Sequence, residues 1–125
     1  MELPGGSHLF PCPLLTRHDT ADTTAHLRAV ELPDDSLPRI VLAHGSASDF
    51  GSDAEDRANN RIAWDRLVTP PAGSTTPRFD YLALGDWHGM KQLSPRIWYS
   101  GTHEPDRFPK NADYESGFAL LVSLA

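Results

Sequence analysis

Two apolar runs that end in polar residues dominate the hydrophobic pattern of the chain. Residues 39–45, RIVLAHG, have an apolar centre, end in His44 and a glycine, and are typical of a strand buried on both faces. Residues 79–85, FDYLALG, repeat the pattern, and Asp86 and His88 follow them at once. The pattern therefore predicts two strands that deliver polar side chains at their carboxyl ends.

Weaker patterns predict the remaining elements. Residues 46–60 are polar and acidic, which is typical of a long exposed loop. Two segments carry an uneven stripe of apolar residues at helical spacing. They are residues 24–30, which Asp22 or Thr23 can cap, and residues 61–68, which Asn59 or Asn60 can cap. Three further segments are predicted as strands: residues 7–10, and residues 96–100 and 117–124 in an antiparallel carboxyl-terminal region.

Composition favours a mixed α/β domain over a helical bundle. The chain of 125 residues is long enough for one domain, and its 39% hydrophobic and 22% charged residues are typical of globular proteins. The 9 glycines and 11 prolines indicate many turns. We therefore expect strands and short helices joined by loops.

Charge and cysteine content exclude several classes of protein. The formal net charge of -6 argues against binding nucleic acid with the whole surface, although a bound metal ion can supply positive charge locally. Cys12 is the only cysteine, which excludes an internal disulfide and a zinc site of four thiolates. The amino terminus lacks the pattern of a signal peptide, and no stretch approaches the ~20 apolar residues that span a bilayer. These features predict a cytoplasmic protein with no membrane partner.

The polar residues that follow the two strands are suited to binding a divalent metal ion. In open α/β sheets, the carboxyl ends of adjacent strands form a common crevice where ligands bind. His44 offers an imidazole nitrogen, and Asp86 and His88 offer an oxygen and a second nitrogen within one tight turn. Such a mixed set of donors suits manganese, iron or zinc.

Three segments in combination resemble a known family. VLAHGS at residues 41–46, DYLALGDWHG at residues 80–89 and YSGTHEPDRF at residues 99–108 resemble the second half of the calcineurin-like metallophosphoesterases. Within that superfamily the likeness is greatest to the branch that contains the nuclease subunit of the SbcCD-type DNA repair exonucleases. The resemblance implies a hydrolase of the α/β class, and specifically the second half of a four-layer αββα sandwich with mixed β-sheets.

The resemblance also implies roles for individual residues. His44 resembles the isolated histidine that binds one metal ion, and His88 resembles the last histidine of the family's G-H-x-H motif, which binds the other. Asp86 stands where the first histidine of that motif usually stands, and an oxygen donor can replace a nitrogen donor there. The implied cofactors are two divalent metal ions, with manganese as the first choice and iron or zinc as alternatives.

Three further motifs of the family, D-x-H, GD-x-x-D/H and GNH-D/E, have no counterpart here, because the D-x-H formed by residues 86–88 is the segment already matched to G-H-x-H and the other two patterns do not occur. In the family these three motifs supply the bridging aspartate, an asparagine ligand and the catalytic histidine. We therefore expect residues 1–125 to be a partial domain, the carboxyl-terminal half, without a catalytic residue of its own and inactive alone. The apolar end GFALLVSLA adds to the expectation of a fragment, because such an edge strand is normally covered.

Each candidate residue also has a structural interpretation. A histidine at a strand end is often a hydrogen-bonded structural residue, and Asp86 can form a turn by bonding nearby backbone amides. Trp87 is a candidate substrate contact at the rim of the site or a core residue. Arg107 is a candidate phosphate contact or the partner of a neighbouring carboxylate.

Two functions remain open from the sequence. In the first, the chain derives from a metal-dependent phosphoesterase that hydrolyses phosphodiester bonds in DNA or in a small molecule. One branch of the family then implies an ATPase partner of the SbcC type. In the second, the chain is a non-catalytic, degenerate half-domain that is either a remnant or a binding module whose terminal strand pairs with a sheet edge.

Overall fold

The computed structural model describes residues 1–17, 20–47, 60–105 and 114–124, and it shows a mixed α/β protein with few helical turns. This confirms the α/β class expected from the sequence. A six-stranded sheet forms the centre, and a second sheet has two strands. The strands are β1 (Glu2–Leu3), β2 (Ser7–Cys12), β3 (Arg39–His44), β4 (Ser46–Ala47), β5 (Arg61–Ile62), β6 (Tyr81–Gly85), β7 (Lys91–Ser94) and β8 (Ile97–Tyr99). The helical elements are a 3-10 helix over Ala25–Arg28 and the α-helix α1 over Asp65–Val68.

The large sheet brings the ends of its central strands to one edge. Its strand order is β1-β2-β3-β6-β8-β7, and β4 and β5 form the small sheet. The four central strands β2, β3, β6 and β8 are parallel, whereas β1 and β7 pair antiparallel at the outer edges. The register of β3 and β6 sets His44 opposite Gly85. The two strongest strand predictions are therefore confirmed, and these strands are neighbours whose carboxyl ends lie side by side.

One face of the large sheet carries the hydrophobic core. Val41, Leu82 and Ile97 come from three adjacent strands, and each is 0% exposed. Leu27 of the 3-10 helix and Leu67 of α1 belong to the same buried cluster. Burying a side chain of this size contributes about 1.5–3 kcal/mol. The core therefore stabilises the central strands, whose carboxyl ends form one edge of the sheet.

Strand β3 is buried on one face only, so the prediction of a strand buried on both faces was wrong. Val41 and Ala43 are buried, whereas Leu42 is 49% exposed and His44 is also exposed. A continuous apolar run indicates a strand but does not determine whether other elements cover its second face. As a result, His44 lies on the more exposed face of the sheet.

The direction of β8 also differs from the prediction. Residues 96–100 were expected to lie in an antiparallel region, but β8 pairs parallel with β6 and antiparallel with β7, a strand the sequence did not predict. Strand propensity does not fix strand direction, which depends on where the connecting chain crosses the sheet. Residues 117–124, expected as a last strand, form no strand, and Leu121 within them is 98% exposed.

The first predicted helix is shorter than expected. Residues 24–30 yield only the 3-10 helix, and Thr24 is its cap residue rather than Asp22 or Thr23. The carboxylate of Asp22 instead accepts hydrogen bonds from the amide and the Oγ1 atom of Thr24, at 3.0 and 2.7 Å. Asp22 thus closes a turn just before the helix begins.

The second predicted helix is replaced by a strand and one helical turn. Within residues 61–68, β5 comes first and α1 follows, with Trp64 as its cap residue rather than an asparagine. Ile62 is 0% exposed and packs into the core from the strand. A short strand followed by one helical turn places apolar residues at the same spacing as a continuous helix. The periodicity therefore predicted a longer helix than the chain forms.

Some predictions fall on residues that the structure does not describe. Of the predicted loop over residues 46–60, Ser46–Ala47 form β4, and residues 48–59 lie outside the described ranges. Arg107 also lies outside them. In the described part of the chain, no helix has the length and apolar composition needed to cross a membrane.

Candidate functional site

His44 and Asp86 meet at the carboxyl edge of the large sheet. His44 is the last residue of β3, and Asp86 directly follows β6. Because these strands are parallel neighbours, the Nε2 atom of His44 lies 3.5 Å from the Oδ1 atom of Asp86. Both side chains are about half exposed, at 51% and 44%. The structure thus brings together two of the three residues that the sequence predicts as metal ligands.

Gly85 leaves room for the imidazole of His44. It lies opposite His44 in the ladder, and a Cβ atom placed on it would come within 3.1 Å of the Nδ1 atom. Because that is closer than ordinary van der Waals contact, the ring would have to shift. The missing side chain at Gly85 therefore helps to set the direction of the imidazole.

Asp86 has an uncommon backbone conformation, with a φ of 114°. Residues other than glycine rarely adopt a positive φ, because their Cβ atoms clash with the backbone. Strained conformations of this kind cluster at functional sites, where the surrounding structure holds them in place. Here the amide of Gly45 donates to the carbonyl of Gly85 at 3.1 Å and ties the ends of the two strands together.

Ser46 also belongs to the site, although its sequence context predicts a loop. It begins β4, and its Oγ atom donates to the Oδ2 atom of Asp86 at 3.3 Å. Asp86 thus directs one carboxylate oxygen toward His44 and the other toward Ser46. The available sequence signal was a hydroxyl residue two positions after the histidine that ends a strand.

Tyr99 of β8 fixes the segment that carries these side chains. It is 1% exposed, its hydroxyl donates to the carbonyl of Gly45 at 2.7 Å, and it accepts from the amide of Ala47 at 2.9 Å. Burial raises the pKa of Tyr99 to about 12, the amide of Ala47 acts against this shift, and the carboxylate of Asp86 adds to it. Tyr99 is therefore a neutral hydrogen-bond donor at physiological pH, and it belongs to the site although the sequence did not predict it there.

The turn beyond Asp86 carries two more of the predicted residues, Trp87 and His88. His88 is half-buried, and its carbonyl accepts from the amide and the Oγ1 atom of Thr102 at 2.8 and 3.3 Å. Trp87 packs against the core, and its ring meets that of Tyr114 edge-on with centroids 6.5 Å apart. The ligand role of His88 and the substrate contacts of Trp87 and Arg107 stay predictions.

The spacing of His44 and Asp86 is compatible with a shared divalent cation. Bonds of about 2.1 Å from a tetrahedral cation place two donor atoms ~3.4 Å apart. The Nε2 and Oδ1 atoms are 3.5 Å apart, and a nitrogen with an oxygen suits manganese, iron or zinc. Among the residues that the structure describes, no group of three or more His, Cys, Asp or Glu side chains is placed to hold a metal ion.

A groove lies at the opposite edge of the sheet. Asp80, Tyr81 and Arg96 line it, together with Val122 and Leu124 of the carboxyl-terminal segment. The Nη1 atom of Arg96 is 3.9 Å from the Oδ1 atom of Asp80, so the two charges largely offset each other. The groove lies at the amino ends of β6 and β8 and is separate from the site at their carboxyl ends.

A scan against protein-family models, a search of curated proteins and a search of solved structures each gave no match to the chain. Its function therefore has to be inferred from the residues of the site.

Proposed function

We propose that the chain is part of a metal-dependent phosphoesterase that hydrolyses phosphodiester bonds, with DNA as the first candidate substrate. The observation that carries the proposal is the 3.5 Å contact between His44 and Asp86 at the ends of two parallel strands. Both side chains are about half exposed, so a cation and a phosphate can reach them. The resemblance of VLAHGS and DYLALGDWHG to calcineurin-like metallophosphoesterases supports the same chemistry.

In this proposal the chain contributes ligands to two divalent cations. His44 and Asp86 bind one cation, and His88 binds the second, with manganese as the first candidate and iron or zinc after it. When bound, the cations supply positive charge that stabilises an in-line displacement at phosphorus. Trp87 and Arg107 are the proposed substrate contacts.

The proposal includes a second part of the domain. The D-x-H of residues 86–88 corresponds to the G-H-x-H motif, and GD-x-x-D/H and GNH-D/E do not occur in the sequence. We therefore infer that a further segment supplies the counterparts of these three motifs. The complete domain would be a four-layer αββα sandwich of which residues 1–125 form the carboxyl-terminal half. Leu42, 49% exposed on the open face of β3, offers an apolar surface for the further layer. An SbcC-type ATPase partner and a cytoplasmic location belong to this proposal for the DNA-processing branch.

A second candidate function is favoured by the carboxyl-terminal segment. Phe118, Leu121 and Val122 are 48%, 98% and 41% exposed in a stretch that forms no strand. An extended apolar segment can add a strand to the exposed sheet edge of a partner. In that case the chain would be a non-catalytic binding module, and its function would not depend on metal.

Manganese binding tests the first candidate. Its dissociation constant is measured by electron paramagnetic resonance for the purified chain and for His44→Ala, Asp86→Ala and His26→Ala. His26→Ala is the matched control because it removes an exposed histidine from the 3-10 helix. We expect the first two variants to weaken binding by about 10-fold or more, as loss of one ligand requires, and the control to bind like the wild type. Equal binding by all four proteins contradicts the proposed metal site, and so does absence of binding when the segment with the missing motifs is present.

Phosphodiester hydrolysis tests whether a further segment supplies residues that catalysis needs. Bis(p-nitrophenyl) phosphate and end-labelled DNA are supplied to the chain alone and to a longer form that includes a segment with the missing motifs. We expect no turnover by the chain alone, and turnover by the longer form that His88→Ala abolishes. Turnover by the chain alone, if His88→Ala abolished it, would show that no essential ligand lies outside these residues.

A further inference from the structure

Two side chains contact different oxygens of the Asp86 carboxylate. The Oγ atom of Ser46 donates to Oδ2 at 3.3 Å, and the Nε2 atom of His44 lies 3.5 Å from Oδ1. The two oxygens of Asp86 therefore have different neighbours, because Oδ2 accepts a hydrogen bond from Ser46 and Oδ1 lies beside the imidazole of His44.

The position of Ser46 is set by the backbone on both sides of it. Its own amide donates to the carbonyl of Asn60 at 2.9 Å, which joins it to the small sheet. The hydroxyl of Tyr99 holds the carbonyl of Gly45 and the amide of Ala47, the residues before and after Ser46. Because these bonds are made to the backbone, they place the Ser46 hydroxyl without restricting its rotation toward Asp86.

A carboxylate as exposed as that of Asp86 can rotate unless a partner fixes it, and among the described residues Ser46 is its hydrogen-bond donor. Asp86 is 44% exposed, and the half-exposed imidazole of His44 contacts only one of its oxygens. Groups that hydrogen-bond to a metal ligand fix its orientation, and removing them typically weakens metal binding by about 10–100-fold. Ser46 is in the position of such a group.

We propose that Ser46 is a positioning residue that holds Oδ2 of Asp86 and so presents Oδ1, beside His44, to the cation. This inference rests on the metal site of the proposed function. Ser46 itself contacts neither the cation nor the substrate. It makes Asp86 a ligand through one oxygen only.

Four variants and one metal test the role. Manganese affinity is measured for Ser46→Ala, Ser46→Val and Ser46→Thr, with Ser100→Ala as the control because Ser100 is an exposed serine at the same sheet edge. Ser46→Val and Ser46→Thr are matched in shape and differ in the hydroxyl. We expect the alanine and valine variants to lose about 10-fold or more in affinity, and the threonine and control variants to stay within about 3-fold of the wild type. Equal affinities of the valine and threonine variants would overturn the proposal.

A metal-free measurement separates this inference from the proposed function. Three-bond couplings in nuclear magnetic resonance spectra report the χ1 rotamers of Asp86 in the wild type, Ser46→Val and Ser46→Thr. We expect one dominant rotamer wherever the hydroxyl is present and rotamer averaging in the valine variant. If the rotamers differ in this way but none of the proteins binds manganese, the hydrogen bond from Ser46 to Asp86 is supported and the proposed metal site is contradicted. If the couplings are the same in all three proteins, the positioning role is overturned whatever the metal affinity.

Discussion

Replacing Tyr99 by phenylalanine removes the hydroxyl that ties β8 to the segment after His44. The ring stays the same size, so the packing of this fully buried side chain is kept. The change leaves the carbonyl of Gly45 and the amide of Ala47 without the bonds of 2.7 and 2.9 Å that they make to the hydroxyl. Ala47 is 2% exposed, and Gly45 is also buried, so water does not readily replace these bonds.

The expected loss follows from the two backbone groups. A buried polar group left without a partner costs about 1–3 kcal/mol, and the buried hydroxyl itself no longer has to be removed from water. We therefore expect Tyr99→Phe to lower the free energy of unfolding by about 2–4 kcal/mol. That is a large share of the stability of a small domain.

Urea denaturation followed by far-ultraviolet circular dichroism measures this loss. Tyr81→Phe is the matched control, because Tyr81 is a second buried tyrosine of the sheet and lines the groove at its other edge. We expect the control to lose less than about 1 kcal/mol, in the range of one ordinary hydrogen bond. If Tyr99→Phe and Tyr81→Phe lost the same small amount, the hydroxyl of Tyr99 would not be holding the segment.

Alkaline pH gives an independent test of the same hydroxyl. The pKa of Tyr99 is raised from its ordinary value of 10.0 to about 12, so the folded state favours the neutral phenol. That stabilisation is fully present below pH 10 and is lost as the pH rises through about 12. We expect the stability of the wild type to fall over this interval more steeply than that of Tyr99→Phe. Equal slopes for the two proteins would show that Tyr99 titrates as it does in the unfolded chain.

Three further predictions concern single side chains. Burial alone would raise the pKa of Asp22, but hydrogen bonds led by those from Thr24 lower it below 3.8. Asp22→Asn should therefore lose about 1–3 kcal/mol at pH 7 in urea denaturation, and the difference should shrink as the pH falls below the ordinary value. Asp86→Gly should gain about 1 kcal/mol because it relieves the positive φ, whereas Asp86→Ala should not, and a gain by both would exclude backbone strain as the cause. Cys12 is 2% exposed, donates to the carbonyl of Thr23 at 2.8 Å and has its pKa raised by burial, so a thiol reagent should label it only as fast as the native state opens.

The sequence predicted the centre of the sheet well because local patterns determine it. The apolar runs of β3 and β6 each end in a glycine or a polar residue, so both the strands and the edge that they reach could be inferred. The contact of His44 with Asp86 followed from the general rule that adjacent parallel strands end at one edge.

The sequence could not predict features that depend on distant pairing. The direction of β8 depends on the path of the connecting chain, and the open face of β3 at Leu42 depends on which elements cover it. The bonds of Ser46 to Asp86 and of Tyr99 to Gly45 join residues 40 and 54 positions apart. Each needs the strand register as well as the residue type, so neither side chain could be selected from spacing alone.

Position 85 offers a way to alter the site without touching a side chain that could bind metal, because Gly85 lies opposite His44 and has no side chain. A methyl group at position 85 would make the imidazole give way by a few tenths of an ångström. If His44 binds a cation as proposed, this shift would weaken metal binding without removing a ligand or changing the net charge. The residue chosen at position 85 therefore sets how much room the imidazole at position 44 has, although these positions are 41 residues apart in the sequence.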